Sequence, residues 1–408
     1  MRLRKYLKEM KNSRRSFLEP AIKVIGLSKC TGCFGCKNSC PVSNAIEMKI
    51  DSEGFYKPYI TKFCINCGKC QQGCPVISYE KNNKLNGVYA AWSLDNRTVL
   101  KSSSGGIFTE IAKIIIENEG VVFGATWDQG IVKHSKINKI EEVYKLQGSK
   151  YIPSDIGETF IEVKKYLKLG KKVLYSGLPC QIAALKKIVS NENLLTVDLI
   201  CHGVPSLNVF KKYINELSKE EFKSTDFRNK DKKWTNFLIR YFFRKEIITH
   251  SQKEDIFFRG FMKDVYLGKP CYNCQFKGEK SGNARIADIT LADFWGIPRK
   301  LFNKDQGVSL VVLNNEKARL YFELLEKNIF FEEVTIEKAL KWNKSFFESA
   351  KSNQNRKEFF KDLSEYTMPK LEKKYFPRDK KIYEIYSFSI NLIKRFIKFI
   401  LWKIGVLE

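Results

Sequence analysis

No stretch of 18 uncharged apolar residues occurs in this 408-residue chain, and that absence excludes an ordinary membrane-spanning helix. The opening residues, MRLRKYLKEMKNSRRSFLEP, are charged throughout and contain no apolar core of the kind a secretory signal needs. The expected compartment is therefore the cytoplasm. No Gly-x-Gly-x-x-Gly follows a strand-like run, so a Rossmann-type dinucleotide site is not supported. Acidic residues are in deficit: 45 Asp and Glu against 72 Lys and Arg give a formal net charge of +27. Such a surface asks for an acidic partner, whether nucleic acid, an anionic membrane leaflet or a small acidic electron carrier. Zinc-finger and RNA-binding motifs are missing as well, so no nucleic acid partner is expected.

Cysteine is what the chain has in quantity. Twelve are present, and in a reducing compartment they read as metal ligands or redox groups rather than disulfides. Eight fall into two runs of identical spacing, CTGCFGCKNSCP at residues 30–41 and CINCGKCQQGCP at 64–75. Each run is C-x2-C-x2-C-x3-C-P, the ferredoxin spacing in which the fourth cysteine serves the other cluster. That resemblance gives Cys30, Cys33, Cys36 and Cys74 to one 4Fe-4S cluster, and Cys64, Cys67, Cys70 and Cys40 to a second. Structural zinc is the competing use of such thiols, but it usually spaces its pairs differently.

The expected organisation is a basic N-terminal segment over 1–20, a two-cluster ferredoxin-type module over 21–80, and a larger α/β (α+β) domain over 87–376. In that domain β-rich runs such as GVYAAWS, KKVLYSG and LLTVDLI alternate with helical stretches such as GIFTEIAKIIIENE and CQIAALKKIV. Residues 377–408 predict an amphipathic basic C-terminal helix: Lys394, Arg395 and Lys398 share one side, and Ile390, Ile393, Ile397, Ile400, Leu401 and Ile404 the other. That pattern suits a helix lying peripherally on an anionic membrane surface, and it equally suits a helix docked on the protein's own core. Basic stretches such as FRNKDKKW, at 227–234, read as solvated faces or docking surface.

Four cysteines remain: Cys180, Cys201, Cys271 and Cys274. Cys271 and Cys274 form a C-x-x-C pair in a loop rich in glycine and lysine, an open ligand clamp that two further cysteines at strand ends would complete. Spacing alone leaves iron, zinc and plain burial open for them. Ser102 to Gly106, SSSGG, precede a helical run and offer hydroxyls and bare backbone for a phosphate, although a capped turn explains them as well.

From SSSGGIFTEIA through LQGSKY, GLPCQIAALK, DLICHGVPS and CYNCQFKG to RIADITLADFWG, the chain resembles the coenzyme F420 hydrogenase/dehydrogenase beta-subunit family. The resemblance implies a flavin and iron-sulfur domain, with a third 4Fe-4S cluster on Cys180, Cys201, Cys271 and Cys274. It also implies FAD at Ser103, Ser104, Gly105 and Gly106, at a second loop of Gln147, Gly148, Ser149 and Lys150, and near the acidic motif of Asp288 and Asp293. Three clusters and a flavin diphosphate lower the net charge by about eight, leaving it basic. His202, beside Cys201, is the candidate proton donor; a hydrogen bond supporting the cluster is its other reading. His134 and His250 have no assignment.

The expected function is an oxidoreductase that takes single electrons from an acidic ferredoxin or similar donor and passes them through the clusters and FAD to an organic substrate. The branch of the family with a fused ferredoxin module is associated with polysaccharide synthesis. An F420-type deazaflavin oxidoreductase is one alternative, and a non-catalytic electron relay another.

Overall fold

A computed structural model describes residues 18–81, 85–283, 285–298 and 301–378. The basic N-terminal segment up to residue 17 and the amphipathic helix expected over 377–408 therefore lie outside the described residues, apart from its first two.

The cysteine module is built twice over. Helix α1 (Ala21–Ile25) leads into the first run, whose short helix α2 (Gly35–Asn38) is matched in the second run by α3 (Lys69–Gln72). Between them strands β1 (Ile46–Ile50) and β2 (Tyr56–Ile60) form an antiparallel hairpin. Equivalent positions bend alike. Gly32 and Asn66 have φ of +69° and +51°, and Phe34 and Gly68 +63° and +71°. Successive left-handed residues turn backbone N–H groups toward a common centre, which suits an anionic group.

The larger domain is organised on an eight-stranded sheet in the order β13-β3-β12-β11-β7-β6-β4-β5. Its strands are β3 (Gly87–Ser93), β4 (Val121–Asp128), β5 (Ile131–Ile137), β6 (Val173–Gly177), β7 (Leu194–Leu199), β11 (Ile289–Asp293), β12 (Ser309–Leu313) and β13 (Ile329–Glu333). The central four, β11, β7, β6 and β4, run parallel, and antiparallel strands flank them. Being covered on both faces, the parallel strands read as continuous apolar runs. One face packs on Ile107, Ile111 and Ile115 of α4 (Ile107–Glu117). The other packs on Phe160 and Val163 of α5 (Thr159–Lys168) and Ile182 and Leu185 of α6 (Pro179–Ile188).

A second layer is a three-stranded antiparallel sheet of β8 (Phe222–Asn229), β9 (Leu238–Phe243) and β10 (Ile247–Ser251). It packs with α7 (Leu207–Leu217) and α8 (Ile256–Met262) around an aromatic core containing Tyr213, Phe227, Tyr241 and Phe257. Helix α9 (Glu316–Glu323) covers the large sheet, while α10 (Arg356–Asp362) and α11 (Met368–Tyr375) close the aromatic core through Phe359 and Leu371.

The module is seated on this domain at two places. Phe34 and Cys33 enter the core formed by α5 and α6, where a side chain at Gly35 would meet the Gly73 carbonyl at 2.2 Å and Ala184 at 3.0 Å. At the other place the β1–β2 turn meets the start of α7. Leu207 N–H donates to the Gly54 carbonyl, Ser206 Oγ donates to the Glu53 carbonyl, and a side chain at Gly54 would lie 2.6 Å from the Asn208 nitrogen. Arg356 then grips the Glu53 carboxylate through both guanidinium nitrogens, at 3.0 and 2.7 Å.

Candidate redox site

Ligands in open parallel sheets gather at the carboxyl ends of the strands, and the leftover cysteines are placed there. Cys180 lies in the first turn of α6, directly after β6, and Cys201 follows β7. Cys271 belongs to a 3-10 turn at Lys269–Asn273 and Cys274 follows it. All four line one cavity together with His202, Lys277 and, from the module, Cys30 and Lys57. The pairing expected within the duplicated runs has a spatial counterpart. Cys30, Cys33, Cys36 and Cys74 line a second cavity, and Cys40, Cys64, Cys67 and Cys70 a third. The inner cavity is the most spacious of the three, about 890 Å³ against about 330 and 300 Å³ with open solvent included.

The three cavities follow one another. Cys30 borders both the inner and the middle one, and Cys33 is near enough to influence the Cys180 thiol. Cys36 and Cys70 are similarly coupled across the middle and outer cavities. Burial pushes Cys33 and Cys271 each up to about 12, and raises Cys30, Cys36, Cys180 and Cys201 as well, so metal must displace their protons. Among the described residues no three of His, Cys, Asp or Glu are grouped as a single metal ion would need. Four thiols or more line each cavity, with no carboxylate among the described lining residues, which is a soft donor set. That donor set fits clusters of several irons.

His202 Nε2 lies 2.7 Å from Asp264 Oδ1, and its ring meets the edge of Phe261. It borders the inner cavity with Nδ1 as the ring nitrogen not held by Asp264.

The two loops expected to hold flavin are brought together. Ser149 N–H donates to Ser103 Oγ at 2.7 Å, and the two hydroxyls are 2.8 Å apart. Gln147 Nε2 donates to Thr109 Oγ1, Ser104 Oγ donates to the Val308 carbonyl, and Gly105 N–H donates to Ser309 Oγ. Helix α4 begins at Gly106 (φ +87°) without a side-chain cap, and Gly148 (φ +77°) has open space where a side chain would stand. Uncapped N–H groups and bare backbone fit a diphosphate. Two lysines attend these loops, Lys230 buried and Lys150 half-buried. Lys150 Nζ donates to the Gln147 carbonyl, and Lys230 Nζ donates to the carbonyls of Val99, Ser104 and Gln306; burial pulls each down to about 7.

Asp293 joins this group by pairing with Arg228 at 2.6 Å and accepting from Trp234 Nε1 at 2.9 Å. Asp288 does not. It stands at the opposite end of β11, where Thr196 donates to it from both N–H and Oγ1 at 2.7 Å and Lys186 and Lys317 lie within 3.5 and 3.4 Å. Burial works to raise its pKa, but those lysines and hydrogen bonds outweigh it and hold it low. Asp288 thus ties β7 to β11, and the structure corrects its placement beside the flavin loops. The reading of FRNKDKKW as solvated is corrected too. Arg228, Lys230 and Trp234 are buried because Asp293 and backbone carbonyls compensate their polar groups. Sequence reasoning missed Arg228, Lys230, Lys57 and Asp264; for Lys277 the one signal was its place in the lysine-rich loop after Cys274.

Duplicated cysteine cavities in front of an α/β sheet that carries a further cysteine cavity define an iron-sulfur electron-transfer protein. Residues 22–75 match the 4Fe-4S dicluster domain, and residues 170–339 match the C-terminal part of the coenzyme F420 hydrogenase/dehydrogenase beta subunit. The chain therefore carries a domain of the F420 hydrogenase/dehydrogenase beta-subunit family behind a 4Fe-4S dicluster domain. The loops expected to hold flavin fall between the two matched ranges. An uncharacterised protein of Methanocaldococcus jannaschii is 26% identical over 227 residues, covering 47% of this chain and 59% of that protein. The F420-dependent formate dehydrogenase subunit beta of the same organism is 26% identical over 65 residues, 12% of this chain and 17% of the relative. The chain thus spans less than two thirds of the length of either. Among solved structures, the F420-reducing NiFe hydrogenase complex of Methanosarcina barkeri is similar at 18% identity and a TM-score of 0.43, over 65% of this chain and 88% of the other.

Proposed function

We propose that the protein is an iron-sulfur flavoenzyme that accepts single electrons from an acidic carrier protein such as a ferredoxin and delivers them to an organic substrate. The observation that carries this reading is the succession of three cysteine-ringed cavities, outer, middle and inner, with Cys30 shared between the last two. Cys40, Cys64, Cys67 and Cys70 would hold the outer 4Fe-4S cluster, Cys30, Cys33, Cys36 and Cys74 the middle one, and Cys180, Cys201, Cys271 and Cys274 the inner one. FAD held by the loops of Ser103 to Gly106 and Gln147 to Lys150 would supply the conversion between one-electron and two-electron chemistry.

The chain's own groups have plain tasks in this reading. The uncapped start of α4 binds phosphate oxygens, and Lys150 supplies positive charge beside them. His202, with Asp264 beside its Nε2, is placed at the inner cavity to deliver a proton from Nδ1. The fused module suggests the polysaccharide-linked branch of the family, and so a sugar or lipid-linked glycan as substrate. The name of one relative, the F420-dependent formate dehydrogenase subunit beta, favours F420 as the second reading.

Anaerobic analysis of iron, sulfide and flavin tests the proposal. About twelve irons and one FAD per chain are expected, with about four irons lost in Cys271→Ser. Full iron without flavin would leave only an electron relay. Bleaching of the flavin by reduced F420, and not by reduced ferredoxin, would favour the second reading.

A further inference from the structure

Charged side chains are distributed unevenly along the three cavities. The linings of the outer and middle cavities contain no lysine, arginine or carboxylate among the described residues. The inner cavity is bordered by Lys57, Lys277 and Arg285. Arg285 is neutralised by Asp198 at 2.7 Å. Lys277 is buried, and its Nζ donates to the carbonyls of Cys201 at 2.6 Å and Ser345 at 2.7 Å; no carboxylate among the described residues pairs with it. Lys57 reaches from β2 to donate to the carbonyls of Cys30 at 2.6 Å and Leu27 at 3.0 Å, again without a carboxylate. One ammonium is thus fixed to the backbone of an inner cysteine, and the other to that of a middle cysteine which also borders the inner cavity.

A buried ammonium without a counter-charge is costly. A 4Fe-4S cluster on four thiolates carries roughly two negative charges, so the inner cavity would supply the anion that Lys277 lacks. Burial raises the Cys201 and Cys271 thiols, and Lys277 is among the cations that draw both back toward the anionic form. Reduction adds one further negative charge to a cluster. A fixed cation nearby stabilises the reduced state more than the oxidised state, because attraction grows with charge and is strong where water is excluded.

We infer that Lys277, with Lys57 shared between the inner and middle sites, makes the inner cluster the strongest electron acceptor of the three, so that the wire is biased to fill from the outer end inward. The inference rests on the three-cluster reading above and adds a direction to it.

The test is an anaerobic potentiometric titration of the full chain, followed by electron paramagnetic resonance, with the inner signal identified by its loss in Cys271→Ser. The wild-type inner cluster should have the highest midpoint. Lys277→Gln, which removes charge and keeps a donor, should shift the inner midpoint downward and leave the outer one in place, and Lys57→Gln should lower the inner and middle midpoints together, each at unchanged iron content. Lys277→Arg should retain the wild-type value. If Lys277→Gln fails to assemble, Lys57→Gln decides, since its hydrogen bonds lie at a partly exposed strand. An inner midpoint that is not the highest, or that stays unmoved in fully loaded variants, overturns the inference while the three-cluster reading stands. A wild-type protein with about eight irons and no inner signal overturns both.

Discussion

At matching positions of the two cysteine runs, Phe34 and Gly68 share a left-handed backbone, yet their surroundings differ. Phe34 is 1% exposed and packs edge-on against Tyr56, within the core that contains α5 and α6. Gly68 lies beneath Leu18, which is itself half exposed, and its neighbour Cys67 faces solvent. Duplication gave two equivalent ligand loops, and docking then made one an interior junction and the other a terminal. An aromatic residue pays its left-handed strain of about 1–2 kcal/mol only where it gains a buried contact. The largest predicted effect follows from this. Phe34→Gly relieves the backbone but empties a core site, and should cost about 3 kcal/mol in chemical denaturation; Gly68→Ala adds left-handed strain and presses on the half-exposed Leu18, and should cost about 1–2 kcal/mol. Equal costs would mean that the first run is not held by the larger domain.

The second prediction concerns the clasp that creates the difference. Arg356 is buried, and its bidentate contact with Glu53 fixes the β1–β2 turn over α7. Breaking a fully buried pair costs about 3–5 kcal/mol, but Glu53 is 26% exposed, so Arg356→Ala should lose about 2 kcal/mol. Burial works to raise the Glu53 pKa, and Arg356 with Lys269 more than reverses it, leaving the value below the ordinary 4.5. A depressed carboxyl contributes stability that is fully present above its unfolded value and is lost as pH falls through its folded value. Thermal melts of the wild type should therefore drop below about pH 4.5, and Arg356→Ala should flatten that part of the dependence. A variant with the wild-type acid slope would show that the clasp does not form.

How much of this was legible in the sequence follows from how local each feature is. Three thiols of each duplicated run sit on one tight loop, so Cys30, Cys33 and Cys36 declare themselves by spacing, and the structure gathers them with Cys74. Buried parallel strands need apolar runs, so LLTVDLI and KKVLYSG mark β7 and β6. The three-stranded sheet was hidden because β8, FKSTDFRN, is polar along its length and owes its burial to distant partners. Arg228 reads as one basic residue among many until Asp293, 65 positions away, is placed beside it. Asp288 and Asp293 look alike in RIADITLADFWG, yet they stand at opposite ends of one strand, and only the sheet shows which end faces the serine loops.

The smallest expected effect concerns the exposed end. Phe63 and Ile65, more than half exposed, flank Cys64, and Lys62 and Lys69 adjoin them in the chain. An acidic carrier docking there would meet an apolar centre with positive charge at its rim, where charges alter the association rate more than the strength of the complex. Lys62→Glu with Lys69→Glu should slow reduction by an acidic ferredoxin by roughly three- to ten-fold at low salt. The deficit should shrink as salt rises, because exposed charges are screened over about 10 Å at 0.1 M. Reduction by dithionite, which needs no docking, should be unchanged. Were the same reversals made at Lys164 and Lys168 on α5, ferredoxin reduction should keep its rate, since that helix borders none of the three cysteine cavities. If both pairs slowed reduction equally, the overall charge of +27, rather than the outer cysteine loop, would be what attracts the carrier.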